Sequence, residues 1–248
     1  MQTALTIDGL SVDFGGFRAV DCFSMTVGEG DLRVLLGANG AGKTTLMDLI
    51  CGKTQSTEGR VFLGDRDITN RPEHEIARAG LGRKFQIPSV FRELTVHQNF
   101  QVAGTRDPRV LANLRGRRNR EADARLEEIL DLVGLRDRRW EKAGVLSHGE
   151  TQWLELGLLL VMNPKVILLD EPTAGMTQGE TRKTSQILND LKGRHTLLVV
   201  EHDMTFVRAI AQRITVMHLG KFLAEGTIAQ IETDPRVKDA YLGSGGIH

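Results

Sequence analysis

The chain has 248 residues, enough for one large domain or for two lobes on a shared core. Hydrophobic residues make up 40% and charged residues 26%, the proportions of an ordinary globular protein and not of a disordered or fibrous one. Lys plus Arg and Asp plus Glu number 32 each, and a formal charge of zero argues against a dedicated nucleic-acid binder, which carries a basic excess.

Two cysteines, Cys22 and Cys51, lack metal-ligand or disulfide-framework spacing, so a reducing compartment is expected. The opening MQTALTIDGL shows no basic segment followed by an apolar one, so no signal peptide is expected. The apolar runs Leu158 to Met162 and Val166 to Leu169 are too short to cross a bilayer.

Ala4 to Val12 alternates apolar and polar residues and predicts a strand. Leu32 to Leu36 is a short apolar run that ends in a glycine-rich turn. Lys43 to Cys51 then predicts a helix closed by Gly52. Gly59 to Ile68 reads as a strand and turn, and Leu81 to Gln86 as one more strand. From Ile87 to Met162 the pattern becomes helical: Leu126, Ile129, Leu130 and Val133 share one face, and Leu154 to Met162 is nearly all apolar. Arg115, Arg117, Arg118 and Arg120 form a basic run. Glu121, Asp123, Glu127 and Glu128 follow it directly, so it reads as a solvated surface. Val166 to Asp170, Thr196 to Glu201 and Arg213 to Leu219 are apolar runs with helical segments between them, which predicts a mostly parallel sheet.

Gly37-Ala38-Asn39-Gly40-Ala41-Gly42-Lys43-Thr44 fits the phosphate-loop pattern GxxxxGK[ST], between a predicted strand and a predicted helix. Glycines let backbone N–H groups turn toward phosphate oxygens with no Cβ in the way. The helix N-terminus adds partial positive charge. Lys43 can reach the β- and γ-phosphates, and the Thr44 hydroxyl suits Mg²⁺. Val166-Ile167-Leu168-Leu169 ends in Asp170-Glu171, and such a strand end faces the crevice where ligands bind. Asp170 would hold Mg²⁺ through water, and Glu171 would polarise an attacking water. His202 follows the strand Thr196 to Glu201 and could reach a γ-phosphate from the same sheet edge.

Leu146-Ser147-His148-Gly149-Glu150 lies before a strong apolar helix, with Ser147 placed as its N-cap. It resembles the LSGGQ signature of ATP-binding-cassette (ABC) ATPases. The whole ordered set resembles that family across essentially the full chain: Phe14 before Gly15, the phosphate loop, Gln86, the signature, Asp170-Glu171 and His202. The resemblance implies an α/β fold with a mostly parallel core sheet, an N-terminal antiparallel β part and an inserted helical signature subdomain. It sets the core lobe at 1–86 and 163–248 and the helical subdomain at 87–162.

The resemblance also implies ATP and Mg²⁺ as cofactors. Glu171, His202, Lys43 and Gln86 would be catalytic. Gly37, Asn39, Gly40, Ala41, Gly42, Lys43, Thr44 and Thr45 would hold the phosphates, and Thr44, Gln86 and Asp170 the metal. Phe14 would stack on adenine, with Phe17 as the runner-up. Ser147 and Gly149 would touch the γ-phosphate of a partner subunit, because two cassettes pair head to tail in this family. The second cassette would be a paralogue or an identical chain.

Two departures from the family pattern stand out. His148 and Glu150 replace a glycine and a glutamine of the signature. The loop Pro172-Thr173-Ala174-Gly175-Met176-Thr177 lacks the usual Ser-Ala-Leu-Asp. With Gly82-Arg83-Lys84-Phe85-Gln86, Trp153 and Val199 to Met204, these features look similar to the branched-chain amino acid and urea importer group. LSHG with the Pro-x-Ala-Gly-Met-Thr loop looks most like the first ATP-binding subunit of urea importers. The implied partners are membrane permease subunits and, indirectly, a periplasmic solute-binding protein, with no nucleic acid. The implied place is the cytoplasmic face of the inner membrane. An importer ATPase for branched-chain amino acids or short-chain amides is the alternative to urea, and a cassette acting on nucleic acid and a small-molecule kinase are the more distant competing readings. The nucleic-acid cassette usually carries long coiled-coil insertions or two cassettes, and the kinase would make the signature a coincidence.

Overall fold

The computed structural model describes residues 2–83, 90–104 and 120–242. The chain divides into two compact units. One comprises Met1–Gly82, Lys165–Pro172 and Leu191–His248, and the other Arg83–Pro164 and Thr173–Asp190. The sequence-based division put residues 173–190 with the core lobe; here that segment belongs to the helical unit.

The first unit carries two sheets. Strands β1 (Thr3–Phe14), β2 (Phe17–Gly28), β4 (Glu58–Leu63) and β5 (Arg66–Asp67) form an antiparallel sheet in the order β2-β1-β4-β5. The β1 strand outruns its predicted span at both ends. It joins β2 through Gly15-Gly16, both at positive φ (64° and 95°), as a two-residue turn of primed type requires. The sequence reading assigned no strand to β2. Its buried Phe23, Met25 and Val27 alternate with exposed Ser24 and Thr26, which is the expected half-buried pattern.

The second sheet has the order β10-β9-β3-β8-β7-β6. Its strands are β3 (Leu32–Leu36), β6 (Leu81–Arg83), β7 (Val166–Asp170), β8 (Thr196–Glu201), β9 (Arg213–His218) and β10 (Lys221–Gly226). Pairing is parallel for β3 with β8, β3 with β9 and β7 with β8, and antiparallel for β10 with β9. Every residue of β3 and β8 is buried. Strands covered on both faces cannot alternate, and their Leu/Val runs follow from that. Helix α1 (Lys43–Ile50) leaves β3 through the phosphate loop, and Gly52 at φ 76° follows it as predicted. Residues 84–89 lie outside the described residues, and with them the last three residues of the strand predicted over Leu81 to Gln86, as does the basic stretch Arg115 to Arg118.

The second unit contains α3 (Val96–Gly104), α4 (Arg120–Leu132), α5 (His148–Met162) and most of α6 (Gln178–Leu191). Helix α2 (Glu73–Ala79) belongs to the first unit, as do α7 (Met204–Ile210), α8 (Ile228–Thr233) and α9 (Pro235–Leu242). In α5, Trp153, Leu154, Leu156, Leu158, Leu159 and Leu160 are all buried, so the helix is apolar nearly all round. No helix among the described residues is long and apolar enough to cross a membrane. Gly157 lets α3 approach: a Cβ there would stand 2.6 Å from Cζ of the fully buried Phe100. Gly157→Val should therefore destabilise the protein by about 1–3 kcal/mol through overpacking. A lowered urea midpoint at unchanged slope would show it, and an unchanged midpoint would contradict this packing.

Candidate nucleotide site

Parallel register brings three strand ends to one edge of the second sheet. Leu36 stands opposite Glu201, and Asp170 opposite Val200. The phosphate loop, the Asp170-Glu171 pair and His202 are therefore neighbours in space, although they are far apart in sequence. Open parallel sheets bind ligands at this edge.

The loop is shaped by its glycines. Gly42 is the N-cap of α1 at φ 101°, and a Cβ on it would stand 2.6 Å from the Ala19 carbonyl oxygen. A Cβ on Gly37 would stand 2.6 Å from the Met217 carbonyl. Gly40 is also at positive φ, Asn39 is exposed, and Ala41 is buried. Lys43 is buried, and its Nζ donates to the carbonyls of Gly37 at 2.6 Å and Ala38 at 3.0 Å. Burial pushes its pKa below the usual lysine value, while Glu171, Asp170 and Glu201 pull it back up. Thr44 is exposed and Thr45 half-buried.

Glu171 lies at φ 44°, in the left-handed region. A side chain other than glycine pays on the order of 1–2 kcal/mol there. Its N–H donates to the Val200 carbonyl at 3.0 Å, which ties the strained residue to β8. His202 Nδ1 lies 3.1 Å from Glu171 Oε1. With a hydrogen on Nδ1 the imidazole donates to this carboxyl oxygen and orients Glu171. Glu201, fully buried beside them, accepts from the His202 N–H at 3.1 Å. The sequence reading gave Glu201 no part.

Phe14 and Phe17 stand directly opposite each other across the β1–β2 turn, 52% and 68% exposed. Directly opposed residues share a face of a sheet. The geometry offers both rings together and does not single out Phe14. The donors on hand also suit Mg²⁺, which favours a few hard oxygen ligands and keeps waters and substrate phosphates. Thr44 supplies a hydroxyl and Asp170 a carboxylate at the strand end. No group of three or more His, Cys, Asp or Glu suited to a metal occurs among the described residues. Gln86, the third expected ligand, lies outside them.

The signature residues belong to the helical unit. Ser147 is the N-cap of α5 in a reciprocal capping box: its Oγ accepts from Glu150 N at 3.1 Å, and its N–H donates to Glu150 Oε2 at 2.9 Å. Glu150, one of the two departures in the signature, thus caps the helix. His148 Nε2 lies 3.1 Å from the Ala174 carbonyl, and a Cβ on Gly175 would stand 3.4 Å from the same nitrogen. The departures at 148 and at 174–175 are therefore one contact. Glu180, absent from the sequence reading, also reaches this helix start. Its Oε1 accepts from Ser147 Oγ at 3.0 Å and from Gly149 N at 3.1 Å, and its Oε2 from Thr177 N and Oγ1 at 2.9 Å each. Thr177-Gln178-Gly179-Glu180 has the spacing of a capping box for α6, and that spacing was the available signal.

A profile of the family described as ABC transporter matches residues 20–174 of this chain. The chain belongs to the ABC transporter ATP-binding family. This ABC cassette is 35% identical to the high-affinity branched-chain amino acid transport ATP-binding protein LivG of Salmonella typhimurium, over 98% of each chain. It is 36% identical to BraF of Pseudomonas aeruginosa, a protein of the same description, over 96% of this chain and 97% of that one. Its fold superposes on the ADP conformation of an ATP-binding cassette of an ABC transporter with a TM-score of 0.83, at 32% identity, covering 98% of this chain and all of that one. A nucleotide-free cassette gives 0.79 at 31% identity. Cassettes of this family hydrolyse ATP to power transport, and the α/β fold with its mostly parallel sheet and helical insertion is theirs.

Hydrogen bonds from Thr177, Ser147 and Gly149 hold the Glu180 carboxyl at a pKa of about 2 against an ordinary 4.5, with Thr177 contributing most. A depressed carboxyl stabilises the fold above its unfolded value. That contribution is lost as pH falls from about 4.5 toward 2. The Glu180 carboxyl carbon, followed by NMR, should keep its ionised shift down to about pH 3; a midpoint near the ordinary 4.5 would mean the cluster does not form in solution.

Proposed function

We propose that this cassette is the ATP-hydrolysing subunit of an importer, working on the cytoplasmic face of the membrane against separate permease subunits. The observation that carries the site assignment is the meeting of Lys43, Asp170-Glu171 and His202 at one sheet edge. Backbone N–H groups of the loop Gly37 to Thr45 receive the phosphates, and Lys43 turns from the loop's own carbonyls to the β- and γ-phosphates. Phe14 and Phe17 offer an aromatic face for adenine.

Thr44, Asp170 and Gln86 would hold Mg²⁺, which when bound neutralises charge on the β- and γ-phosphates. Glu171, held in place by His202 and by its strained backbone, accepts a hydrogen bond from water and directs the water oxygen at the γ-phosphorus. The bond to the β-phosphate oxygen breaks, and ADP and phosphate leave. Ser147 and Gly149 complete the site of a second cassette across a head-to-tail dimer, whose closing and opening drive the permease.

For the solute, the relatives' descriptions support a branched-chain amino acid. That favours the broader importer group over the urea assignment expected from the sequence. Urea stays as a second reading on one observation. His148 and the loop at Ala174, which carry the likeness to urea importers, form a single contact here. A periplasmic solute-binding protein would deliver either solute.

Uptake of labelled leucine and labelled urea, measured separately in the native host, tests this with a chromosomal Lys43→Ala mutant. Loss of leucine uptake supports the first solute, loss of urea uptake alone the second. Unchanged uptake of both sinks the importer reading for these solutes. Glu171→Gln should bind ATP without hydrolysing it and accumulate as a dimer at saturating ATP and Mg²⁺. Light scattering that shows only monomer would contradict the trans role of Ser147 and Gly149.

A further inference from the structure

The start of α5 already has an anion on it, supplied by the chain itself. Ser147 has one hydroxyl hydrogen and Gly149 one amide hydrogen. Both point to a single oxygen, Glu180 Oε1, at 3.0 and 3.1 Å. Gly149 is required for this approach, because a Cβ at 149 would collide with the Glu180 carboxylate. The Ser147 oxygen is meanwhile occupied as acceptor by the Glu150 N–H. Neither donor has a second hydrogen for a phosphate oxygen. A negative carboxylate in the same place would also repel one.

We infer that the Glu180 carboxylate is an internal occupant of the signature's γ-phosphate contact and a brake on ATP-driven dimer closure. This rests on the trans role of Ser147 and Gly149 proposed above. Closure requires Glu180 Oε1 to leave both donors. Its other oxygen can stay where it is, because Thr177 N and Oγ1 both donate to Oε2. The carboxylate can therefore swing off the signature while it still caps α6. His148, which touches Ala174, ties the same loop to the start of α5.

The test uses the full chain carrying Glu171→Gln, titrated with ATP at saturating Mg²⁺ while dimer is followed by light scattering. Adding Glu180→Gln keeps the size of the side chain and removes its charge. The ATP concentration for half-maximal dimer should fall roughly tenfold, since an ionised acceptor holds its donors about twice as strongly as a neutral one. A third protein, Glu171→Gln with Thr177→Val, removes the hydroxyl of the α6 cap and leaves the carboxylate on Ser147 and Gly149. It should need as much ATP as the parent.

An unchanged or higher ATP requirement with Glu180→Gln overturns the brake and leaves Glu180 as a support for the signature. An equal fall with Thr177→Val overturns it as well, because loosening α6 would then be the cause. A parent that forms no dimer at any ATP concentration overturns the trans reading itself, and the brake with it. That failure is distinct because it appears before Glu180 is changed.

Discussion

Parallel pairing of β3 with β8, and of β8 with β7, is the constraint on which the nucleotide site depends. Each strand contributes apolar side chains to both faces of the sheet, and burial of those faces fixes direction and register together. Once Leu36 stands opposite Glu201 and Asp170 opposite Val200, the loop after β3 and the carboxylates after β7 have no choice of neighbourhood. The strain at Glu171 is affordable only on such a frame. Its left-handed backbone is tied to Val200 on one side and its carboxylate to His202 on the other.

Residues whose chemistry is local were legible in the sequence. The phosphate loop could be read because glycines, lysine and threonine occur at fixed offsets. The buried strands could be read because short, dense runs of Leu, Val and Ile such as 166–169 and 197–200 have few other uses. Ser147 was recognisable as a helix cap from the apolar run behind it, and the structure adds its reciprocal partner Glu150. β2 was missed although Phe23, Met25 and Val27 alternate cleanly, because the strand is irregular at Cys22 (φ 49°), which puts the buried Val20 and Phe23 three residues apart and breaks the period of two. β10 was missed because an edge strand carries little apolar signal, here Lys221 and Phe222 exposed and Ala224 buried.

Pairwise contacts across the chain were not legible. No spacing rule links Glu180 to Ser147, or His148 to Ala174, because the contacts depend on how α5 and the loop before α6 pack. The sequence showed that both stretches depart from the family pattern and left them as separate oddities. In the fold they are one arrangement, in which the loop before α6 and that helix's first turn supply the carbonyl and carboxylate that the start of α5 binds. The choice between Phe14 and Phe17 dissolves in a similar way. A two-residue turn puts both rings on one face.

The first unit is assembled from three separate stretches of chain, and that has a consequence during synthesis. The β1–β2 hairpin closes over two residues and can form as soon as it is free of the ribosome. β3 waits far longer. Its partner β8 pairs Leu32 with Leu197, about 165 residues later. At a ribosomal rate of roughly 5–20 residues per second, that delay is on the order of ten to thirty seconds. Throughout it, a strand in which four of five residues are Leu or Val has unsatisfied edges and no cover from its final neighbours. The nascent chain is therefore most exposed to wrong pairing in this interval, and chaperone contact during translation would matter most between the emergence of β3 and that of β8.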